Sequence, residues 1–411
     1  MDMFALPDRM ALAHKLTAQK MQLARRMTNA VFDRHPELEQ KYGAMGRVQS
    51  DNDGCFHVDF LAGALVAGSV QSFESYVRWT VAVLGARGVG AETVQASMQC
   101  LEEGAGELLA PGEFAIVQSY LAVGRQACLT PATGGTYEVL PEDRWSQQMR
   151  AFRTAVLSGE RQTALQVIDE AQQQGATLMD VYIGIIAASL QSVGDLWASN
   201  QASVAQEHMA CSVVQYVIAM LYARTQRPLQ TKGNMVVTGV RGEQHQIGLN
   251  LVADAMEARG WKVRFLGSNL PHATILEQVQ GFAEVVCVST TMIANLPATA
   301  ELVDLLSQNP GHKAPMILLG GAAIRLAPEF CKDYKSVRAV HSLREALTIL
   351  DSAFPESENQ PVWKKYLAKW FPLKAPVQRN DLDLMQTRLL PAAGRHSQRL
   401  PGTDSRESGV K

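Results

Sequence analysis

Met235-Val236-Val237-Thr238-Gly239-Val240-Arg241-Gly242-Glu243-Gln244-His245-Gln246-Ile247-Gly248-Leu249 changes its hydrophobic period halfway along. Met235 to Val240 is a short apolar run rich in β-branched residues, the pattern of a buried strand. From Leu249 to Ala258 the apolar residues recur at helical spacing. Between the two lies a loop carrying His245, with a carboxylate two residues before it and a glycine three residues after. Such a loop sits at the carboxyl end of a strand, where open α/β sheets bind ligands. A histidine in that setting is built to ligate something.

Further anchors follow in order. Leu266-Gly267 closes one run. Val285 to Val288 ends in Ser289-Thr290-Thr291, and Met316 to Leu319 ends in Gly320-Gly321. Glycines at strand ends let the backbone approach a ligand closely. Residues 234–352 alternate strands with helices, which predicts a parallel sheet. The Glu-x-His-x-x-Gly loop and its downstream anchors resemble the Asp-x-His-x-x-Gly signature of cobalamin-binding domains, with Glu243 in place of the aspartate. The resemblance implies a flavodoxin/Rossmann-like domain with His245 as lower axial ligand to cobalt and Glu243 on its other nitrogen. It implies that Gly248, Ser289, Gly320 and Gly321 surround the buried nucleotide tail. The alternative is a flavodoxin-like domain with an accidental loop histidine.

Residues 143–228 predict a four-helix bundle: Trp145 to Ser158, Glu160 to Gln174, Leu178 to Trp197, and a fourth helix opened by Ser203. Ser203 with Gln206 forms a capping-box pattern. Trp197, Glu207 and His208 give the spacing Trp-x9-Glu-His across the last join. This resembles the bundle of the cobalamin-dependent photoreceptor repressors, which caps the upper corrin face. It implies that Trp197 packs over an adenosyl group and that Glu207 meets its ribose. His208 would take the upper cobalt position after light. Taken singly, Trp197 reads as a core residue and His208 as a polar helix start.

Residues 1–130 read as helical, with helices at His57 to Ala67, Phe73 to Leu84, Ala91 to Leu108 and Glu113 to Ala127. Six helices in this length fit a globin-like arrangement. No helix-turn-helix or basic recognition helix is found, so DNA binding is not expected. His57, Tyr76, Arg78, Trp79 and Arg87 cluster around one helix, and aromatic planes with arginines suit a tetrapyrrole bearing propionates. From spacing alone, a plain helical dimerisation domain with ordinary surface arginines is the favoured reading, since such clusters are common on solvated helix faces. The order of helical domain, Trp-x9-Glu-His bundle and cobalamin domain resembles the photocobilins, which adds biliverdin as a second chromophore. Covalent attachment would fall to Cys55; noncovalent binding, or haem on His57, are the other options.

The 411 residues carry a net charge of −2, which leaves no global nucleic-acid footprint. No segment is read as approaching the ~20 apolar residues of a membrane span. The first residues lack a signal-peptide layout. Six scattered cysteines without Cys-x-x-Cys read as reduced thiols of a cytoplasmic protein. Residues 353–411 read as a tail, with one amphipathic stretch at Val362 to Phe371 and a disordered end. The chain is thus expected to be a non-catalytic light sensor that binds adenosylcobalamin and biliverdin. Its output would be a light-dependent homo-oligomer or an unknown protein partner. The alternative is a corrinoid carrier for methyl transfer.

Overall fold

The computed structural model describes residues 5–129, 144–225, 227–228, 232–308 and 314–355. The amphipathic stretch read at Val362 to Phe371 and the 130–143 linker lie outside them. Five strands form one all-parallel sheet: β1 (Gly233–Gly239), β2 (Trp261–Gly267), β3 (Val285–Ser289), β4 (Met316–Gly320) and β5 (Val337–Ala339). Their order is β2-β1-β3-β4-β5. The chain leaves β1 in one direction for β2 and returns past it to β3. A switch point therefore lies between the carboxyl ends of β1 and β3, where doubly wound sheets open a crevice. The interior strand β1 shows no alternation of apolar and polar residues because both its faces are covered: Met235, Val236 and Val237 are all fully buried.

Six helices make up the N-terminal part among the described residues: α1 (Leu6–Ala18), α2 (Lys20–Arg34), α3 (Glu37–Ala67), α4 (Val70–Gly85), α5 (Ala91–Leu108) and α6 (Pro111–Leu129). The helix expected to begin at His57 begins a further 20 residues earlier, at Glu37, and is kinked where Gly43 takes φ 59°. Gly, Asn and Asp are frequent before His57, so the apolar period is weak there and becomes legible only where the helix is buried. The N-terminal helices share one apolar core with the sheet's flanking layer. Leu12, Leu16, Leu61 and Leu65 join Val286, Leu302 and Phe330 in it. Arg9 bridges the two parts, donating to the Val66 carbonyl at 2.9 Å and to Asp333 at 2.5 Å.

The bundle comprises α7 (Ser146–Leu157), α8 (Arg161–Gln173), α9 (Ala188–Ala198) and α10 (Val204–Arg224). A π-helical stretch, Asp180–Ala187, runs directly into α9. By length and composition Asp180–Ala198 is apolar enough to cross a membrane, contrary to the sequence reading. In the fold it is a bundle helix, with Val181, Tyr182, Ile185, Ile186 and Val193 buried. The capping box at α10 forms as its residues predict: Gln206 N donates to Ser203 Oγ and Ser203 N to Gln206 Oε1.

The remaining helices are α11 (Ile247–Ala258), α12 (His272–Val279), α13 (Leu296–Ser307), α14 (Ala322–Leu326) and α15 (Leu343–Ala353). The bundle packs on α11, where Leu251 and Ala255 enter its core and Tyr182 Oη donates to Asp254 at 3.2 Å.

Candidate functional site

The loop from β1 to α11 is built around Glu243, whose side chain is fully buried. One carboxylate oxygen accepts from the backbone N–H of Gln244 and of His245, both at 3.0 Å, and from His245 Nδ1 at 2.6 Å. The other accepts from Thr291 N at 2.7 Å and Asn295 Nδ2 at 3.2 Å. Thr291 and Asn295 follow β3, so this carboxylate ties together the two loops that diverge at the switch point. Burial alone would raise the Glu243 carboxyl. The hydrogen bonds from His245 and Thr291 outweigh it and hold the group below its ordinary value. The bond from Glu243 raises the His245 imidazole against the effect of burial, and the more distant charge of Glu207 adds to the rise.

With Nδ1 committed to Glu243, His245 presents Nε2 outward, and its side chain is 55% exposed. It opens onto a cavity of about 510 Å³ walled by α1, α3 and the loops after β1 and β3. Asn269 accepts from Gly242 N at 2.9 Å and braces the loop from the β2 side. Neither Asn269, Thr291 nor Asn295 was singled out from sequence. Each is a common loop residue, and only the fold brings them to residues 242 and 243.

The glycines divide into two kinds. Gly239, Ser289 and Gly320 lie side by side in register at the carboxyl edge of β1, β3 and β4. Gly321 has φ 105°, and a Cβ there would stand 2.2 Å from the Thr290 carbonyl oxygen, so only glycine fits. Gly248, near the start of α11, has nothing within 4 Å of where a Cβ would be. The backbone requires Gly321, while the space beside Gly248 is open.

Trp197 ends the bundle's third helix, with Glu207 and His208 in the first turn of α10. Glu207 accepts from Cys211 Sγ at 3.1 Å and lies 3.5 Å from His208 Nδ1, and the His208 side chain is 76% exposed. Trp197 lines a second cavity, about 520 Å³, together with His57, Tyr76, Trp79 and Arg87. Four of the five N-terminal residues picked from sequence therefore share one cavity with the bundle tryptophan. The fifth, Arg78, is not among its lining residues and forks onto Glu74 one turn back, at 2.7 and 3.0 Å. Arg87 is not free for an anion: it donates to the carbonyls of Val83, Trp197 and Ala198. Cys55 lines neither cavity and lies against Met21 Sδ at 3.3 Å. Phe56, Phe60 and Met292 line both cavities and form their common wall.

Residues 233–350 match the family described as B12 binding domain, and residues 148–222 match a second family of the same description. Methionine synthase of Mycobacterium tuberculosis is 30% identical over 173 residues, 41% of this chain and 14% of that protein's length. Dimethylamine corrinoid protein 1 of Methanosarcina mazei is 23% identical over 177 residues, 42% of this chain and 82% of that protein. The solved monomethylamine corrinoid protein of Methanosarcina barkeri aligns at 16% identity and a TM-score of 0.46, over 51% of this chain and 100% of that chain. The two family matches support cobalamin binding by the sheet and the bundle.

Proposed function

We propose that this protein holds a cobalamin between His245 and the Trp197 end of the bundle and acts as a light sensor. The observation that carries this reading is the common wall of Phe56, Phe60 and Met292 between the His245 cavity and the aromatic cavity under Trp197. His245 Nε2 would ligate the cobalt, with Glu243 fixing the ring's tautomer and raising its basicity. Gly248, Ser289, Gly320 and Gly321 border the nucleotide tail. Trp197 would cover the cofactor's bundle-side group, and Glu207 would meet an adenosyl ribose there. His208, exposed and lightly held, would supply a second imidazole to the metal after light. A bound adenosylcobalamin supplies light absorption and a photolabile cobalt–carbon bond. Biliverdin is the second chromophore, in the cavity of His57, Tyr76, Trp79 and Arg87. The signal is a change of domain arrangement read as oligomeric state or by a protein partner.

A second reading is a corrinoid carrier for methyl transfer. The names of the relatives, a methionine synthase and a dimethylamine corrinoid protein, favour it over light sensing. The N-terminal cavity and its contact with Trp197 favour the sensor.

The test is an absorption spectrum of the full chain prepared with adenosylcobalamin and biliverdin, before and after green light. A corrin spectrum that photoconverts, with a red bilin band, supports the two-chromophore sensor. Photoconversion without a red band leaves a cobalamin sensor and removes the bilin. Binding without photoconversion overturns light sensing and leaves the carrier.

A further inference from the structure

A line of rings runs from the interior of the N-terminal helices to the bundle. Phe60 stacks on Tyr76 with centroids 3.8 Å apart and planes at 10°. Tyr76 and Trp79, three residues apart on α4, have centroids at 6.4 Å, and Trp79 and Trp197 at 6.3 Å. These are contact distances for aromatic pairs, and adjacent rings at such separations are well within reach of electron tunnelling. Tyr76 is buried at 6% exposure, and Trp79 is the most open of the rings at 37%.

The inner end carries a proton acceptor. His57 Nδ1 and Tyr76 Oη are 2.7 Å apart, and both side chains are buried. Burial lowers the imidazole to about 4 and pushes the phenol up. At neutral pH the histidine is therefore uncharged and the tyrosine keeps its proton, and in the Nε2-protonated tautomer of His57 the Tyr76 hydroxyl donates to Nδ1. Removing one electron from a phenol makes it a strong acid. The adjacent imidazole can then take the proton as the electron leaves, and no bare charge is created on the tyrosine. Arg87 holds the Trp197 end in place: Nη2 donates to the Trp197 carbonyl, and its guanidinium lies 5.0 Å from that ring.

We propose that Tyr76, Trp79 and Trp197 form a one-electron relay that repairs oxidising damage at the Trp197 end, with His57 as the proton acceptor of Tyr76. A bound alkyl corrinoid would supply the oxidant: homolysis of its cobalt–carbon bond by light would leave cobalt(II) and a carbon-centred radical. The radical takes one electron from the relay and one proton from water, forming a C–H bond and leaving hydroxide. The electron comes from Tyr76 through Trp79 and Trp197. The Tyr76 O–H bond breaks and an N–H bond forms on His57, leaving a neutral phenoxyl radical beside an imidazolium. Only the identity of the oxidant rests on the corrinoid site proposed above, and an alkyl corrinoid serves both functional readings.

The relay is tested first in the cofactor-free full chain, oxidised in solution by a flash-excited ruthenium polypyridyl and followed by transient absorption and electron paramagnetic resonance. In the wild type a tryptophan radical should convert to a phenoxyl radical. Tyr76→Phe, which keeps the ring, should abolish the conversion, and Trp79→Phe should do the same by opening the gap. His57→Gln should slow it and remove its solvent deuterium isotope effect. Unchanged conversion in Tyr76→Phe would overturn the relay. The second experiment illuminates the full chain loaded with adenosylcobalamin without oxygen. A phenoxyl signal that vanishes in Tyr76→Phe supports the alkyl radical as oxidant, and a loaded wild type with no signal overturns it. A chain that takes up no corrin overturns the site reading instead, and the relay then stands or falls on the first experiment.

Discussion

The Arg87 guanidinium lies 5.0 Å from the centre of the Trp197 ring and donates a 2.8 Å hydrogen bond to the carbonyl of the same residue. Its other arm reaches the Ala198 carbonyl at 3.1 Å, so one side chain caps the end of α9 from the N-terminal helices. Asn200 returns the contact by donating to the Ala86 carbonyl at 3.3 Å. The bundle tryptophan is thus fastened to the turn that ends the helix carrying Tyr76 and Trp79.

Arg87→Met keeps the aliphatic stem and removes the donors. It should lower stability by about 1–3 kcal/mol, the range for lost hydrogen bonds to partly buried groups. It should also loosen the Trp79–Trp197 contact. Urea unfolding followed by tryptophan fluorescence measures both, and an unchanged midpoint with an unchanged native spectrum would show that the clamp is idle.

Two glycines separate folding from binding. Gly321→Ala places a methyl against the Thr290 carbonyl at a positive φ and should cost roughly 2–3 kcal/mol through strain. Gly248→Val meets open space and should leave the melting temperature nearly unchanged while weakening hydroxocobalamin uptake. Normal uptake in Gly248→Val would take that position away from the nucleotide tail.

Glu243→Gln places an amide among five donors that all need an acceptor. It should weaken cobalamin retention by roughly 10–100-fold, the usual effect of losing the partner of a metal-bound histidine. His245→Ala should leave any retained cobalamin with its own base on cobalt, which the absorption spectrum reports. A spectrum identical to the wild type would remove His245 from the metal.

His208→Ala removes an exposed side chain and should leave dark binding intact. Under the light-sensing reading it should abolish a bis-imidazole product after illumination. Identical illuminated spectra would remove His208 from the switch.

Asp254 provides a pH dependence away from the cofactor. Burial against the bundle raises its carboxyl to about 6, opposed in part by the Tyr182 hydroxyl. Its folded value lies above the unfolded one, so the folded state prefers the protonated acid. The stability from that preference is complete below about pH 4 and is lost as pH rises through about 6. Asp254→Asn should therefore match the wild type near pH 4 and be more stable by about 1–3 kcal/mol at pH 8. Equal unfolding midpoints at both pH values would show that the carboxyl is not desolvated in the fold.

The order of elements from 233 to 350 and the four bundle helices were legible because each is dense in one hydrophobic period. The Glu243–His245 pair was legible because both members lie on one short loop, where two residues of separation put a carboxylate beside a ring. The Asp180–Ala187 π-helix was not legible, since Val181, Tyr182, Ile185 and Ile186 fit a buried helix of either pitch. The early part of α3 was missed because Gly43, Gly46 and Gly54 dilute its period.

Local chemistry in the sequence determined the strand, loop and helix around His245, the capped start of α10, and which aromatic and basic residues of α4 were worth noticing. Tertiary structure alone decided what those residues touch. Thr291 and Asn295 reach Glu243 because strand order places β3 beside β1. Trp197 meets Trp79 because the bundle end packs against α4. Arg78 and Arg87 differ by nine residues and not at all in chemistry. Yet one turns back to Glu74 within its own helix, and the other, besides turning back to the Val83 carbonyl, reaches carbonyls 110 and 111 residues away. Side-chain direction on a helix and the packing of distant elements set that difference, and neither is written in local spacing.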